Sequence, residues 1–156
     1  MIRLAVLLAC MGTAAIAGDC TPQRLDIRGD FGSARFTLEL ADTNRERARG
    51  LMYRESLPDN HGMLFLYPRV GRPAFWMKNT LIALDMLFVT PTGRIQHIHE
   101  NAVPGDLTPI DGGEGIIAVL ELAGGQAHAL GLSVGSELRH PGFDQAVALW
   151  ACDPAQ

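Results

Sequence analysis

The chain has 156 residues, with thirteen Lys and Arg against seventeen Asp and Glu and a net charge of −4 with histidine neutral. An acidic balance disfavours nucleic acid and anionic lipid as partners, because both are bound through clustered positive charge. The length suits one domain of ordinary size, large enough to bury a core without a metal to staple it.

The first seventeen residues read as a secretory signal: Arg3, an apolar run from Leu4 to Ile16, and small residues Ala15 and Ala17 ahead of Gly18. That run is too short and wrongly flanked for a membrane span, and nothing later is long and apolar enough to be one. A lipoprotein reading through Leu7-Leu8-Ala9-Cys10 leaves an apolar segment of about six residues, short of the roughly seven to fifteen of a signal. Cleavage after Ala17 removes Arg3 and no acid, leaving twelve basic against seventeen acidic residues, a balance of −5. The expectation is an exported protein, periplasmic or secreted, with a single globular domain over residues 18–156. Cys10 leaves with the signal, so Cys20 and Cys152 remain, one near each end, and in an oxidising compartment they most simply form a disulfide.

Apolar and polar residues alternate from Arg24 to Ile27 and from Ala34 to Leu40, with Gly29-Asp30-Phe31-Gly32 between, which predicts a half-buried hairpin. Thr43-Asn44-Arg45-Glu46 has the spacing of a capping box, and Gly50 suits a helix terminus, so a short basic helix of about two turns follows. Leu57 to Gly62 is turn chemistry, and Met63 to Tyr67 an apolar strand bounded by Pro68. Further strands are predicted over Phe75 to Met77, Leu84 to Val89, Arg94 to His99 after a turn at Pro91-Thr92-Gly93, Ile116 to Leu122, Glu137 to Arg139 and Ala146 to Trp150. Asn101 to Glu114, rich in Pro, Gly and Asp, is predicted as a long loop and a candidate wall of a binding site. Gln126 to Leu130 is a brief helical turn between glycines. Many short strands with little helix predict a mainly β fold, a compact antiparallel β-sandwich or squat barrel with one or two short helices. A doubly wound α/β fold lacks the helix to cover both sheet faces.

Five strings occur in order: Arg49-Gly50-Leu51-Met52, Gly62-Met63-Leu64-Phe65, Phe75-Trp76-Met77-Lys78-Asn79-Thr80, Leu84-Asp85-Met86-Leu87-Phe88 and Leu120-Glu121-Leu122 with Gly124 and Gly125 following. Together they closely resemble the bacterial and archaeal family called domain of unknown function 192, over roughly Arg35 to Arg139. The resemblance implies a compact, mostly β fold often found in exported proteins, and it implies no established activity. One departure is Ala83, where the family pattern leads one to expect proline.

Candidate chemistry centres on Phe75 to Asp85. Lys78 is the sole lysine of the chain, and a compact ammonium on a flexible stem does not interchange with an arginine fork at a constrained position. Asp85 and Glu121 lie in apolar strands, where a carboxylate is costly unless cations or donors satisfy it. Arg49, Arg54 and Lys78 are the obvious partners. Either these groups form a structural ion network, or Trp76, Lys78, Asn79, Asp85 and Glu121, with Arg49 and Arg54, line a pocket for a small polar ligand such as a carboxylate or sugar. The leading expectation is a non-catalytic binding or accessory protein without a cofactor. An alternative is a hydrolase using Asp85 and Glu121 as acid and base, which requires the two carboxyls within about 5 to 9.5 Å of each other across a cleft. A second is thioether binding of Cu(I) through Met52, Met63, Met77 and Met86 beside Trp76 and His61, since soft sulfur selects Cu(I). A third is a protein interaction module using the Asn101 to Glu114 loop. His97 and His99 share a strand face but lack an evident third metal ligand. Gly131-Leu132-Ser133-Val134-Gly135 spells a nucleophile elbow in the wrong context, with no strand before and no helix after.

Overall fold

The computed structural model describes residues 20–152, so the expected signal segment 1–17, with its lipoprotein alternative at Cys10, lies outside the described residues. Among the described residues nine strands and two short helices follow in order: β1 (Arg24–Gly29), β2 (Gly32–Ala41), α1 (Asn44–Arg49), β3 (His61–Gly71), β4 (Ala74–Phe75), β5 (Leu84–Val89), β6 (Ile95–Ala102), β7 (Ile110–Asp111), β8 (Ile116–Ala123), α2 (Gln126–Leu130) and β9 (Glu137–Arg139). Seven of the strands form one curled sheet, a half-barrel, in the order β6-β5-β8-β3-β2-β1-β9, and β4 pairs with β7 in a separate two-stranded ribbon. The fold is mainly β, as the strand spacing predicts.

Every pairing is antiparallel except β2 with β3, which run parallel. The parallel pair follows from α1: antiparallel neighbours can be joined by a tight hairpin, but parallel ones need a crossover, and α1 lies on that crossover. Its start is fixed as the sequence predicts, with Thr43 Oγ1 accepting from the Glu46 N–H at 3.2 Å and the Glu46 carboxylate accepting from the Thr43 N–H at 3.0 Å. The helix ends at Gly50, whose N–H donates to the Glu46 carbonyl at 2.8 Å.

Alternation along the strands divides the core into two. On one face Leu25, Ile27, Phe36, Leu64, Leu87, Leu120 and Leu138 pack together and fill the curl. On the other, Met63, Phe65, Met77, Leu84, Met86, Phe88 and Val119 pack beneath Leu51 and Phe75. The curl brings the two edges of the sheet together at one corner, where Arg94 bridges Glu137 of β9 and the Ile95 N–H donates to the Ser136 carbonyl at 2.8 Å.

Two expectations need correction. Ala146 to Trp150 is not a strand: Val147 and Leu149 are exposed, and Trp150 is held by its ring, with the Arg28 guanidinium 4.7 Å from its centroid and that of Arg139 at 5.9 Å. The predicted Phe75 to Met77 strand shrinks to Ala74–Phe75, pairing with Ile110–Asp111 inside the segment expected to be loop. The Cys20–Cys152 disulfide is present, closing a span of 132 residues with the Cα atoms 5.7 Å apart.

Candidate functional site

Glu121 forms the floor of a pocket in the second core cluster. In the sheet register it stands opposite Met63 of β3 on one side and Met86 of β5 on the other. Neither thioether can donate a hydrogen bond, and Glu121 Oε2 is buried without a partner. Burial alone pushes its carboxyl up to about 8, so at neutral pH it is held mainly as the uncharged acid. On the same face, burial raises the Tyr67 phenol as well; the Arg47 charge opposes that rise and Glu121 adds to it.

Two segments wall the pocket. The end of α1 and the turn after it bring Arg49, Gly50, Leu51 and Met52 to one side, while Phe75, Trp76 and Thr80 form the other, with Phe65 beneath. The space between them is about 40 Å³ and opens to solvent. Gly50 has φ +49°, and a Cβ there would lie 3.0 Å from the Phe65 ring and 3.9 Å from Glu121 Oε2, so a side chain at this position would crowd into the space above the carboxyl. Phe65 and Phe75 meet edge to face at 5.0 Å between centroids, which stiffens that wall.

The rim is made by the segment after Trp76. Trp76 is 49% exposed, and Lys78 Nζ lies 5.1 Å from its ring centroid, a cation–π contact. Lys78 is itself exposed and makes no ion pair among the described residues, so the expected pairing with a carboxylate does not occur. Asn79, at φ +56°, donates its amide to Met52 Sδ at 3.9 Å, and its carbonyl accepts from the Tyr53 N–H at 2.8 Å, tying the rim to the turn after α1. Thr80 is buried and donates to the Lys78 carbonyl at 3.3 Å.

Glu121, Arg49 and Trp76 therefore share one pocket, with Lys78 and Asn79 at its edge, and two expected members lie elsewhere. Asp85 stands opposite Leu122, one register position from the Met86–Glu121 pair, and so points to the opposite face of the sheet from Glu121. Its carboxylate is satisfied by backbone alone, accepting from the N–H groups of Asn101 at 2.8 Å, Gly125 at 3.0 Å and Ala127 at 2.8 Å. Its role is to pin the end of β6 to the start of α2. An acid–base pair of Asp85 and Glu121 is thereby ruled out, since the sheet lies between them. Arg54 is exposed and pairs with Glu39 instead.

The copper reading also loses its geometry: of the four methionines only Met52 lines the pocket, while Met63, Met77 and Met86 are packed in the core at 7% exposure or less. His61 is exposed, its Nδ1 3.0 Å from the Asp59 carbonyl. His97 stacks on Phe88, and no group of three His, Cys, Asp or Glu residues suited to a metal occurs among the described residues. Ser133 sits in a turn against Ser136, not at a strand-to-helix elbow. Sequence reasoning named Gly50 as a helix terminus, Met52 as a thioether ligand for Cu(I), Phe75 as the start of a strand and Thr80 as a member of a motif string, none of them as part of a pocket for a small polar ligand. Their part in the site had a signal in their place beside Arg49 and Trp76.

Comparison with known proteins now bears on these residues. The model of the family DUF192, described as an uncharacterized ACR, matches residues 25–140, which include every pocket residue named above. The chain belongs to the DUF192 family. Among solved structures, this DUF192 chain is similar to one from Sinorhizobium meliloti 1021 titled "putative transcription regulator", at 39% identity and a TM-score of 0.76, with 81% of this chain and 98% of that one covered. It is also similar to a protein of unknown function from Novosphingobium aromaticivorans DSM 12444, at 38% identity and a TM-score of 0.74, over 81% of this chain and 98% of that one. No curated protein matches. No described helix is long and apolar enough to cross a membrane.

Proposed function

We propose that this DUF192 chain is an exported, non-catalytic binding protein whose ligand is a small polar molecule reaching Glu121 between Arg49 and Trp76. The observation that carries the reading is the Glu121 carboxyl: it is buried, its Oε2 has no partner, and it faces a space bordered by an arginine and an exposed tryptophan. A lone buried carboxyl weakens a fold, and a strongly perturbed group in a cleft is a functional candidate on physical grounds. The Cys20–Cys152 disulfide supports export, since such bonds persist in oxidising compartments.

The test is a thermal-shift screen of the mature chain and of Glu121→Gln against small carboxylates, amino acids and sugars. A compound that raises the wild-type Tm by a few degrees through mass action, and leaves Glu121→Gln unmoved, supports the reading. Absence of any such compound, with Glu121→Gln merely more stable, refutes it.

A second reading, an interaction module, has one observation in its favour. Trp76, Val103 and Leu107 are exposed, and the 103–107 stretch is tied to the rim by the Met77 N–H donating to the Asp106 carbonyl at 2.8 Å. A nucleic-acid reading taken from the Sinorhizobium chain's title gains nothing from the net charge of −4, nor from described helices of only six and five residues.

A further inference from the structure

The pocket holds an arginine and a carboxyl that do not meet. Arg49 and Glu121 both border it, yet no ion pair joins them, and Arg49 makes none with any described residue. Nearby arginines are committed: Arg54 to Glu39, and Arg47 to the Leu66 carbonyl at 2.7 Å and the Asn44 amide oxygen at 2.6 Å. The space of about 40 Å³ admits a group of a few heavy atoms at the floor. A sugar ring does not fit inside it, so the bulk of any ligand lies at the mouth against Trp76.

Charge decides what that inner group is. A carboxylate at the floor would accept one hydrogen bond from the protonated Glu121 and otherwise meet only thioethers and aromatic rings, its charge left uncompensated. An ammonium there finds an acceptor in Glu121 Oε2 and the rings of Phe65 and Phe75 beside it. A plain cation, however, would have to pass Arg49 and Lys78. Resting on the Glu121 pocket proposed above, we infer that the ligand is a small zwitterion of the α-amino-acid class, its ammonium on Glu121 and its carboxylate on Arg49. One molecule then supplies both missing partners, and Lys78, poised on Trp76, adds to the attraction for the carboxylate end.

The protonation balance follows. Before binding, Glu121 holds a proton; when an –NH₃⁺ group arrives, the carboxyl ionises to pair with it and that proton passes to the buffer. The groups packed around Glu121 leave this step to Glu121 itself. Met63 and Met86 on either side carry no charge. Tyr67 on β3 is raised, and Arg47, Arg49 and Lys78 are cations. His99 of β6 lies one strand further out, beyond Met86.

The experiment is isothermal titration of the oxidised mature chain with L-alanine, methylammonium, acetate and glycerol at about pH 7, each in two buffers of different ionisation enthalpy. Alanine is expected to bind with release of a proton, and each half-molecule at least roughly tenfold more weakly. Glu121→Gln, which leaves an ammonium without its counter-charge, is expected to lose roughly a hundredfold in alanine affinity. Arg49→Gln, at an exposed position that makes no ion pair with any described residue, is expected to lose at least roughly tenfold. Acetate or glycerol binding where alanine does not overturns the zwitterion and leaves the pocket standing. Alanine binding without proton release, or unaffected by Glu121→Gln, overturns the placement of the ammonium. Binding by none of the four probes overturns both this inference and the reading beneath it.

Discussion

Replacing Glu121 by Gln is expected to stabilise the protein, by an amount that depends on pH. In the unfolded chain this carboxyl titrates at its ordinary value of 4.5, whereas in the fold burial holds it at about 8. A group whose folded pKa is raised contributes most below the unfolded value and progressively less as pH climbs toward the folded one, because only the unfolded chain gains by ionising. Each pH unit of that window is worth about 1.4 kcal/mol, so at pH 7 the wild type has forfeited about 3 kcal/mol. The amide keeps the shape of the carboxyl and cannot ionise, so it escapes this loss. The variant should match wild type near pH 4.5 and exceed it by about 3 kcal/mol at pH 7, a large share of the roughly 5 to 15 kcal/mol that holds a domain folded. Urea unfolding of both proteins from pH 4.5 to 8 measures this, and taking the difference at each pH cancels every other titrating group. A difference that stays flat with pH, or a wild type that is the more stable at pH 7, would refute the argument that Glu121 is buried without a counter-charge.

Asp85→Ala removes the acceptor of three backbone N–H groups and should cost about 3 kcal/mol or more, read by the same unfolding assay, because each orphaned donor carries a desolvation penalty. Reduction of Cys20–Cys152 frees a span of 132 residues and should lower stability by up to about 5 kcal/mol in the chain-entropy picture, seen as a drop in Tm with reductant that a Cys20→Ser, Cys152→Ser variant does not show. His140 is held neutral: burial lowers its pKa, its Nδ1 accepts from the Gly142 N–H at 2.9 Å, and its Nε2 faces the Pro22 carbonyl at 2.8 Å. A lowered folded pKa means stability is lost as pH falls below the ordinary histidine range, so His140→Gln should show a shallower acid limb than wild type in a pH series of melting curves.

The sequence's periodicity located most of the strands because each buries one face, and it located α1 because Thr43 and Glu46 spell their own cap. Three things escaped it for physical reasons. The parallel pairing of β2 with β3 depends on the chain after α1 returning toward the end at which β2 began before it enters the sheet, and no local pattern encodes that. The segment Ala146 to Trp150 is apolar enough for a strand, but the Val147 and Ala148 N–H groups turn back onto the Asp144 carbonyl, and beyond the Leu149 N–H donating to the Thr92 carbonyl at 2.9 Å it docks through the Trp150 ring. The candidate site turned on register: alternation showed that Asp85 and Glu121 each enter a core, but only the pairing of Met86 with Glu121 reveals that they enter different ones. Lys78 was singled out by its rarity, yet it sits at the surface against an aromatic ring, where an ion pair with a carboxylate or a ligand contact was the expectation.

The corner where Arg94 meets Glu137 bears on how the protein coexists with its own kind at high concentration. An open seven-stranded sheet offers two rows of unsatisfied amides, each a template for a foreign chain. Here one row is three residues long and already engaged by the stretch before β6, and the other carries Gln96, His97, Glu100 and Asn101 exposed along it. Polar side chains and a short rim are common guards against fibre growth, and this fold uses both.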